Sequence, residues 1–254
     1  MSNAFHQIPL AVEDRPKTAF RCPFGSFQFK KMPQGLKNSS PIFQAFVDNV
    51  LGKLKWDKVI NYIDDLIIYS PTIEQHFHDL REVLTTIKQA GLHLKAEKCF
   101  FFRTRISFLG HVVSEQGVEP DPNRIKCILE ANPVKKKDIQ SWLGLAGYYR
   151  KMIPQFASKA APLYDLLKDK TKRNRSTLTD REQHAIDNIK RWLTTSPILG
   201  HPDFNKPFYL CTDASIEGLV CTLQQKDDNG NDIVIQYASR ALKPHEKKYH
   251  IYEL

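Results

Sequence analysis

Residues 59–69 read VINYIDDLIIY. Two runs rich in β-branched and aromatic residues flank the pair Asp64-Asp65. Such runs favour strands, and Asp is a common turn residue, so the stretch reads as a hairpin with both acids at its turn. Adjacent carboxylates in an apolar setting repel one another and lose hydration. They call for a compensating cation, and hard oxygen donors of this kind suit Mg²⁺ or Mn²⁺. On the dipeptide alone, a solvent-facing Asp-Asp turn is the commoner reading. The surrounding chain decides between the two.

Upstream, residues 1–31 mix short apolar runs with Pro and Gly, which suggests strands and turns. From Pro41 to about Trp56, Ile42, Phe43, Phe46, Val47, Val50 and Leu51 recur at helical spacing. Downstream, Ile73, Phe77, Leu80, Leu84 and Ile87 line one face of a helix expected over 72–90, and Gly91 marks its end. Two strands are expected next, at about 92–102 and 106–114. From 121 to 196 four helix-length segments are punctuated by Pro133, Pro154 and Pro197. KDKTKRNRS (168–176) reads as an exposed basic loop. After Pro207 strands return, with a hairpin turn at DDNGND (227–232). The fold class is therefore α+β.

Composition narrows the function. The 254 residues carry a net charge of +9, with 41% hydrophobic and 11% aromatic residues, so the chain is not disordered. No apolar run approaches the ~18 residues of a membrane span, and no signal-peptide layout opens the chain. Cys22, Cys99, Cys127, Cys211 and Cys221 are odd in number and include no C-x-x-C pair, which argues for a reducing, intracellular setting and no secretion. Residues 134–175 hold eleven Lys/Arg and three Asp, nearly the whole positive excess. That block suits a polyanion, most simply a nucleic-acid backbone, although a solvated helical face would have the same composition.

The chain resembles the reverse transcriptase region of gypsy-type LTR retrotransposon Pol polyproteins. The matching stretches are AFHQIPLAVEDRPKTAFRCPFGSFQFKKMPQGLKN, YIDDLIIYS, LHLKAEKCFFF, SFLGHVVSEQGV, WLGLAGYYRKMIPQFASKAAPLYDLLK, SPILGHPDF and LCTDAS, in the family's order. The resemblance implies a partial fingers/palm over 1–118, a helical thumb/connection over 119–200 and a truncated ribonuclease H-like α/β domain over 201–254. It implies RNA-directed DNA polymerisation with an RNA template, a DNA primer and dNTP substrates, and no membrane. Asp64 and Asp65 match the acids that hold the catalytic Mg²⁺ or Mn²⁺. Two such metals, about 4 Å apart, activate the primer 3′-hydroxyl and stabilise the departing pyrophosphate. Phe5 matches the aromatic that excludes a ribose 2′-hydroxyl, and Gln34 and Gly35 match the segment lining the nucleotide. Lys98 resembles a lysine near the nucleotide phosphates. Tyr62 and the segment from Phe108 through Leu109 and Gly110 to His111 fall where the family contacts nucleic acid. Lys135, Lys136, Lys137, Arg150 and Lys151 fall in the helices that track the duplex backbone. The apolar faces there, with Trp142, Leu143, Tyr148 and Tyr149, read as core. Asp213 matches the first metal-binding Asp of the ribonuclease H domain.

Three departures from the family pattern qualify this. The family's first palm Asp lies just before the residues matching Met1–Phe5, so it has no counterpart here and polymerase activity is expected to be impaired. Asn38-Ser39-Ser40-Pro41 carries its proline one place later than the family, which displaces the expected helix start. The catalytic Glu of the ribonuclease H helix would follow Leu254, so ribonuclease H activity is not expected. The alternative function is a catalytically silent remnant that only binds nucleic acid.

Overall fold

A computed structural model describes residues 1, 4–168, 177–195, 197–216 and 218–253. The basic loop expected over 168–176 lies outside the described residues from 169 on. The chain forms two compact units, residues 1–103 and 104–254.

In the first unit, 3-10 helices at Ala4–Gln7 and Val12–Thr18 precede a small hairpin, β1 (Phe20–Cys22) with β2 (Gly25–Phe27). The expected strands and turns of this region are thus partly 3-10 helix. Helix α1 spans Ser39–Leu51, two residues earlier than Pro41. Pro41 lies in its first turn, where a missing N–H breaks no intrahelical bond, and the Ser39 hydroxyl donates to the Pro33 carbonyl at 3.0 Å. Strands β3 (Val59–Tyr62) and β4 (Asp65–Ile68) pair in register from Val59–Ile68 to Tyr62–Asp65. Their apolar faces pack on α1, and Phe43, Val47, Leu51, Val59, Val83 and Ile87 form the core.

Helix α2 (Ile73–Gln89) starts at Thr72, whose hydroxyl accepts from the Gln75 amide, and it is followed by Gly91 at φ +73°. The helix is where expected, but its buried face differs. Asp79, Val83 and Ile87 point inward, whereas Ile73 is 66% exposed and Phe77 58% exposed. The inward carboxylate of Asp79 is what makes this face buriable. It accepts from Ser70 (2.6 Å) and Gln75 (2.8 Å) and pairs with Lys58 at 3.1 Å. A strand over 92–102 is not formed: Ala96–Lys98 is 3-10 helix, and Phe100, Phe101 and Phe102 are exposed.

The second unit opens with a three-stranded antiparallel sheet of β5 (Arg105–Phe108), β6 (His111–Ser114) and β7 (Gly117–Pro120). The single strand expected over 106–114 is therefore broken by a turn at Leu109-Gly110. Four helices follow. Helix α3 (Pro122–Glu130) is capped by the Asp121 carboxylate, with proline at its first position. Next come α4 (Lys136–Tyr148) and α5 (Phe156–Lys168). Helix α6 (Asp180–Thr195) begins with a capping box in which the Thr179 and Glu182 side chains each accept the other's amide. Their shared core includes Ile139, Trp142, Leu143, Tyr149, Leu163, Ile186 and Ile189, and the Trp142 indole N–H donates to the Ile128 carbonyl at 3.0 Å. Strands β8 (Tyr209–Ser215), β9 (Gly218–Lys226) and β10 (Asp232–Ala241) form an antiparallel sheet with β9 in the middle. The turn expected at 227–232 joins β9 to β10, held by the Asp227 carboxylate accepting from the Asn229 and Asn231 amides. Among the described residues no helix is long and apolar enough to cross a membrane.

Gly117 couples the first sheet of this unit to the segment before β8. Val118 and Leu199 exchange backbone hydrogen bonds at 2.8 and 2.9 Å. Gly117 has φ +136°, and a Cβ there would lie 2.1 Å from the Leu199 carbonyl oxygen. Gly117→Ala should therefore cost at least about 2 kcal/mol of stability, read as a lowered midpoint in thermal or urea unfolding. Gly144→Ala, where a Cβ meets nothing within 4 Å, should be neutral or stabilising.

Candidate active site

The β3–β4 hairpin turns on two residues, Ile63 and Asp64. Register alone therefore places Asp64 in the turn and Asp65 at the first position of β4, so adjacent carboxylates project from one end of the hairpin. Asp64 is half-buried and Asp65 exposed. Ile63 has φ +53°, a conformation that is a rare outlier for a β-branched residue and costs on the order of 1–3 kcal/mol.

A side chain from α1 holds this strained residue. Gln44 Oε1 accepts the Ile63 amide at 2.6 Å, and Gln44 Nε2 donates to Asp48 Oδ1 at 2.8 Å. Lys55 closes the chain with a 2.6 Å contact to Asp48 Oδ2. Partial burial of Asp48 would raise its pKa, but hydrogen bonds from Lys55 and Gln44 outweigh burial and hold the carboxyl below its ordinary value. The amino group of Met1 donates to the Asp64 carbonyl at 2.7 Å, which brings the first residues beside the turn. Phe5, half-buried, meets Phe43 of α1 edge-on at 5.5 Å. Sequence reasoning missed Gln44, Asp48 and Lys55. In a helix read for its apolar face, polar positions carry no signal.

The other expected residues are less gathered. Gln34 and Gly35 (φ +92°) are exposed in the loop before α1, and Lys98 is exposed in its 3-10 helix. No side-chain hydrogen bond among the described residues ties Gln34 or Lys98 to the hairpin. Tyr62 is exposed at the end of β3. Asp64 and Asp65 offer oxygen donors of the kind Mg²⁺ takes, yet no group of three or more His, Cys, Asp or Glu could hold a metal ion among the described residues.

In the second unit, Leu109 (φ +49°) and Gly110 (φ +76°) make a two-residue turn of type I′. Tyr148 donates its hydroxyl to the Leu109 carbonyl, and Tyr149 donates to the Gly110 carbonyl at 2.8 Å. The His111 ring stacks on Tyr148 at 5.4 Å and 18°. Burial, then the Lys151 charge, lower the His111 pKa, so the ring is neutral near pH 7. Burial, then Tyr148, push the Tyr149 hydroxyl up to about 12. Trp142, Leu143 and Tyr149 are core as expected, whereas Tyr148 is 55% exposed. Lys135, Lys136 and Lys137 lie at the N-terminal end of α4. Lys159, part of the basic block, is turned inward: it donates to the Pro154 carbonyl at 2.6 Å and lies over the Trp192 ring. Arg150 and Asp213 line one cleft of about 770 Å³ with Thr212, Cys221, Ser239 and Arg240. Asp213 is exposed and accepts the Ala214 amide at 2.9 Å.

Residues 1–113 match the family model "Reverse transcriptase (RNA-dependent DNA polymerase)", and residues 178–254 match "RNase H-like domain found in reverse transcriptase". The chain is 38% identical over 250 residues to the retrovirus-related Pol polyprotein from transposon 297 of Drosophila melanogaster, covering 98% of this chain and 23% of that one. It is 34% identical over 252 residues to the transposon Tf2-3 polyprotein of Schizosaccharomyces pombe, covering 99% of this chain and 19% of the relative. The chain thus spans about a quarter or less of the curated relatives it matches. Among solved structures, a foamy viral protease-reverse transcriptase in complex with double-stranded DNA matches with a TM-score of 0.87 at 25% identity, over 100% of this chain and 52% of that one. The same viral protein with an RNA/DNA hybrid gives 0.86, over 100% of this chain and 34% of that one.

The Gln44 contact generates a stability prediction. Gln44→Met keeps the side-chain volume and leaves the Ile63 amide without its acceptor, so it should lower unfolding stability by about 1–3 kcal/mol. It is measured by urea unfolding of the 254-residue chain.

Proposed function

Because the chain belongs with the reverse transcriptase and RNase H-like regions of LTR-retrotransposon Pol polyproteins, we propose that Asp64 and Asp65 serve RNA-directed DNA polymerisation. The observation that carries this reading is the strained two-residue turn, which a helix side chain holds so that both carboxylates project from one end of a hairpin. Mg²⁺ commonly binds through one or two carboxylates and completes its shell with water and substrate phosphates, so this pair can hold Mg²⁺ or Mn²⁺ with a nucleotide present. The bound metals would neutralise phosphate charge and make the primer 3′-hydroxyl a better nucleophile.

The chain's own residues then bind and orient. Phe5, fixed by Phe43, is a wall against a ribose 2′-hydroxyl. Gln34 and Gly35 line the incoming nucleotide, and Lys98 serves its phosphates. Tyr62 and the Phe108–Gly110 turn touch the primer, whose phosphate accepts from the turn amides. Lys135, Lys136, Lys137, Arg150 and Lys151 follow the duplex backbone. The three lysines at the N-terminal end of α4, offset in part by Asp138 of its first turn, present a concentration of positive charge that suits a phosphate backbone. The three parts, palm to 118, thumb/connection to 200 and ribonuclease H-like segment beyond, divide these tasks. Asp213 would be one metal ligand of the last part. The second reading is a catalytically silent remnant that only binds nucleic acid.

Primer extension on an RNA template, with dNTPs and Mg²⁺ or Mn²⁺, tests the proposal. Extension should be abolished by Asp64→Asn or Asp65→Asn. Duplex affinity should survive both substitutions. Extension that survives both substitutions would refute the assignment. Affinity should fall with salt, and each lysine of 135–137 changed to Ala that had faced a phosphate should lower the slope of log K against log salt by about 0.9.

A further inference from the structure

We propose that Tyr148 is a positioning residue for the turn at Leu109-Gly110, fixing the direction of the Gly110 amide that the nucleic acid meets. This rests on the proposed contact between that turn and the primer. In a trans peptide the carbonyl of one residue and the N–H of the next point in opposite directions. The Tyr148 hydroxyl holds the Leu109 carbonyl, so the Gly110 N–H is held pointing away from Tyr148. No protein acceptor for the amides of Leu109 or Gly110 occurs among the described residues. The peptide between these two residues is the one whose flip interconverts type I′ and type II′ turns, and it has no strand partner to fix it.

The Gly110 carbonyl is placed differently. It accepts from Tyr149 at 2.8 Å and from the Asp121 amide at 3.1 Å, and the following residue, His111, is paired with Phe108 in the ladder. Tyr149 is therefore redundant for peptide direction, while Tyr148 is not. Space enforces the same arrangement: a Cβ on Gly110 would lie 3.4 Å from both Tyr148 Cε1 and the Tyr149 hydroxyl oxygen. Tyr148 lies at the C-terminal end of α4, whose N-terminal end carries the proposed backbone-binding lysines. One helix thus serves both contacts.

Tyr148→Phe removes the hydroxyl and keeps the ring on His111. Binding of the full chain to a primer–template duplex is measured by fluorescence anisotropy, with neutral methylphosphonates placed one at a time along the primer. In the unsubstituted chain the primer position that faces the turn should show a penalty, beside any positions that face the lysines. Tyr148→Phe should weaken binding roughly three- to tenfold, the factor one net hydrogen bond carries, and shrink the penalty at that position. Its salt slope should be unchanged because an amide carries no net charge. Tyr149→Phe should leave affinity within about twofold. Unchanged affinity and penalties in Tyr148→Phe would overturn the inference while duplex binding itself stands. Equal weakening by both substitutions would also overturn it, since that is the mark of general loosening. Absence of duplex binding by the unsubstituted chain would overturn the underlying reading and the inference with it.

Discussion

A non-glycine residue at positive φ in a two-residue turn persists only where its surroundings over-determine it. Each unit contains one: Ile63 at φ +53° and Leu109 at φ +49°. Each is held by a polar side chain from a helix of its own unit, Gln44 from α1 on the Ile63 amide and Tyr148 from α4 on the Leu109 carbonyl. Much of each unit's architecture supports these contacts. Helix α1 buries Phe43 and Val47 against β3, which sets Gln44 at the height of the turn. Helix α4 buries Trp142 and Leu143, which sets Tyr148 at the edge of the core with its hydroxyl free to reach the sheet.

The hairpin at 59–69 was legible because its signal is local. Its register was not: the turn falls on Ile63-Asp64, one residue before the expected Asp64-Asp65, so only Asp64 lies in the turn and Asp65 opens β4. The helices of 121–196 were legible as helix-length segments punctuated by Pro133, Pro154 and Pro197. The turn at Leu109-Gly110 was not. Type I′ turns advertise themselves through Asn-Gly or Asp-Gly, and Leu at the first position hides one. Its support, the Tyr148 hydroxyl, comes from 39 residues away, beyond any local pattern.

Helix α2 shows a different kind of limit to periodicity. Apolar spacing marks a face that could be buried, not the one that is. Here Asp79 takes an inward position because Ser70, Gln75 and Lys58 satisfy it. A buried carboxylate with that many partners is tolerated, and it rotates Ile73 and Phe77 outward. The polar network decides the helix orientation, and the apolar stripe follows.

Charge reads similarly at two scales. The block at 134–175 looks uniform in sequence, yet its members do different work. Lys159 is turned into the protein, its pKa lowered by burial, against a carbonyl and the Trp192 ring. Lys135, Lys136 and Lys137 crowd the end of α4 where the dipole repels cations. Asp138 in the same turn offsets part of that repulsion, whereas α6 opens on Asp180 and Glu182 with no lysine among its first residues. On the proposed reading, this excess of positive charge is set against a partner that supplies negative charge, as a phosphate backbone does at regular spacing.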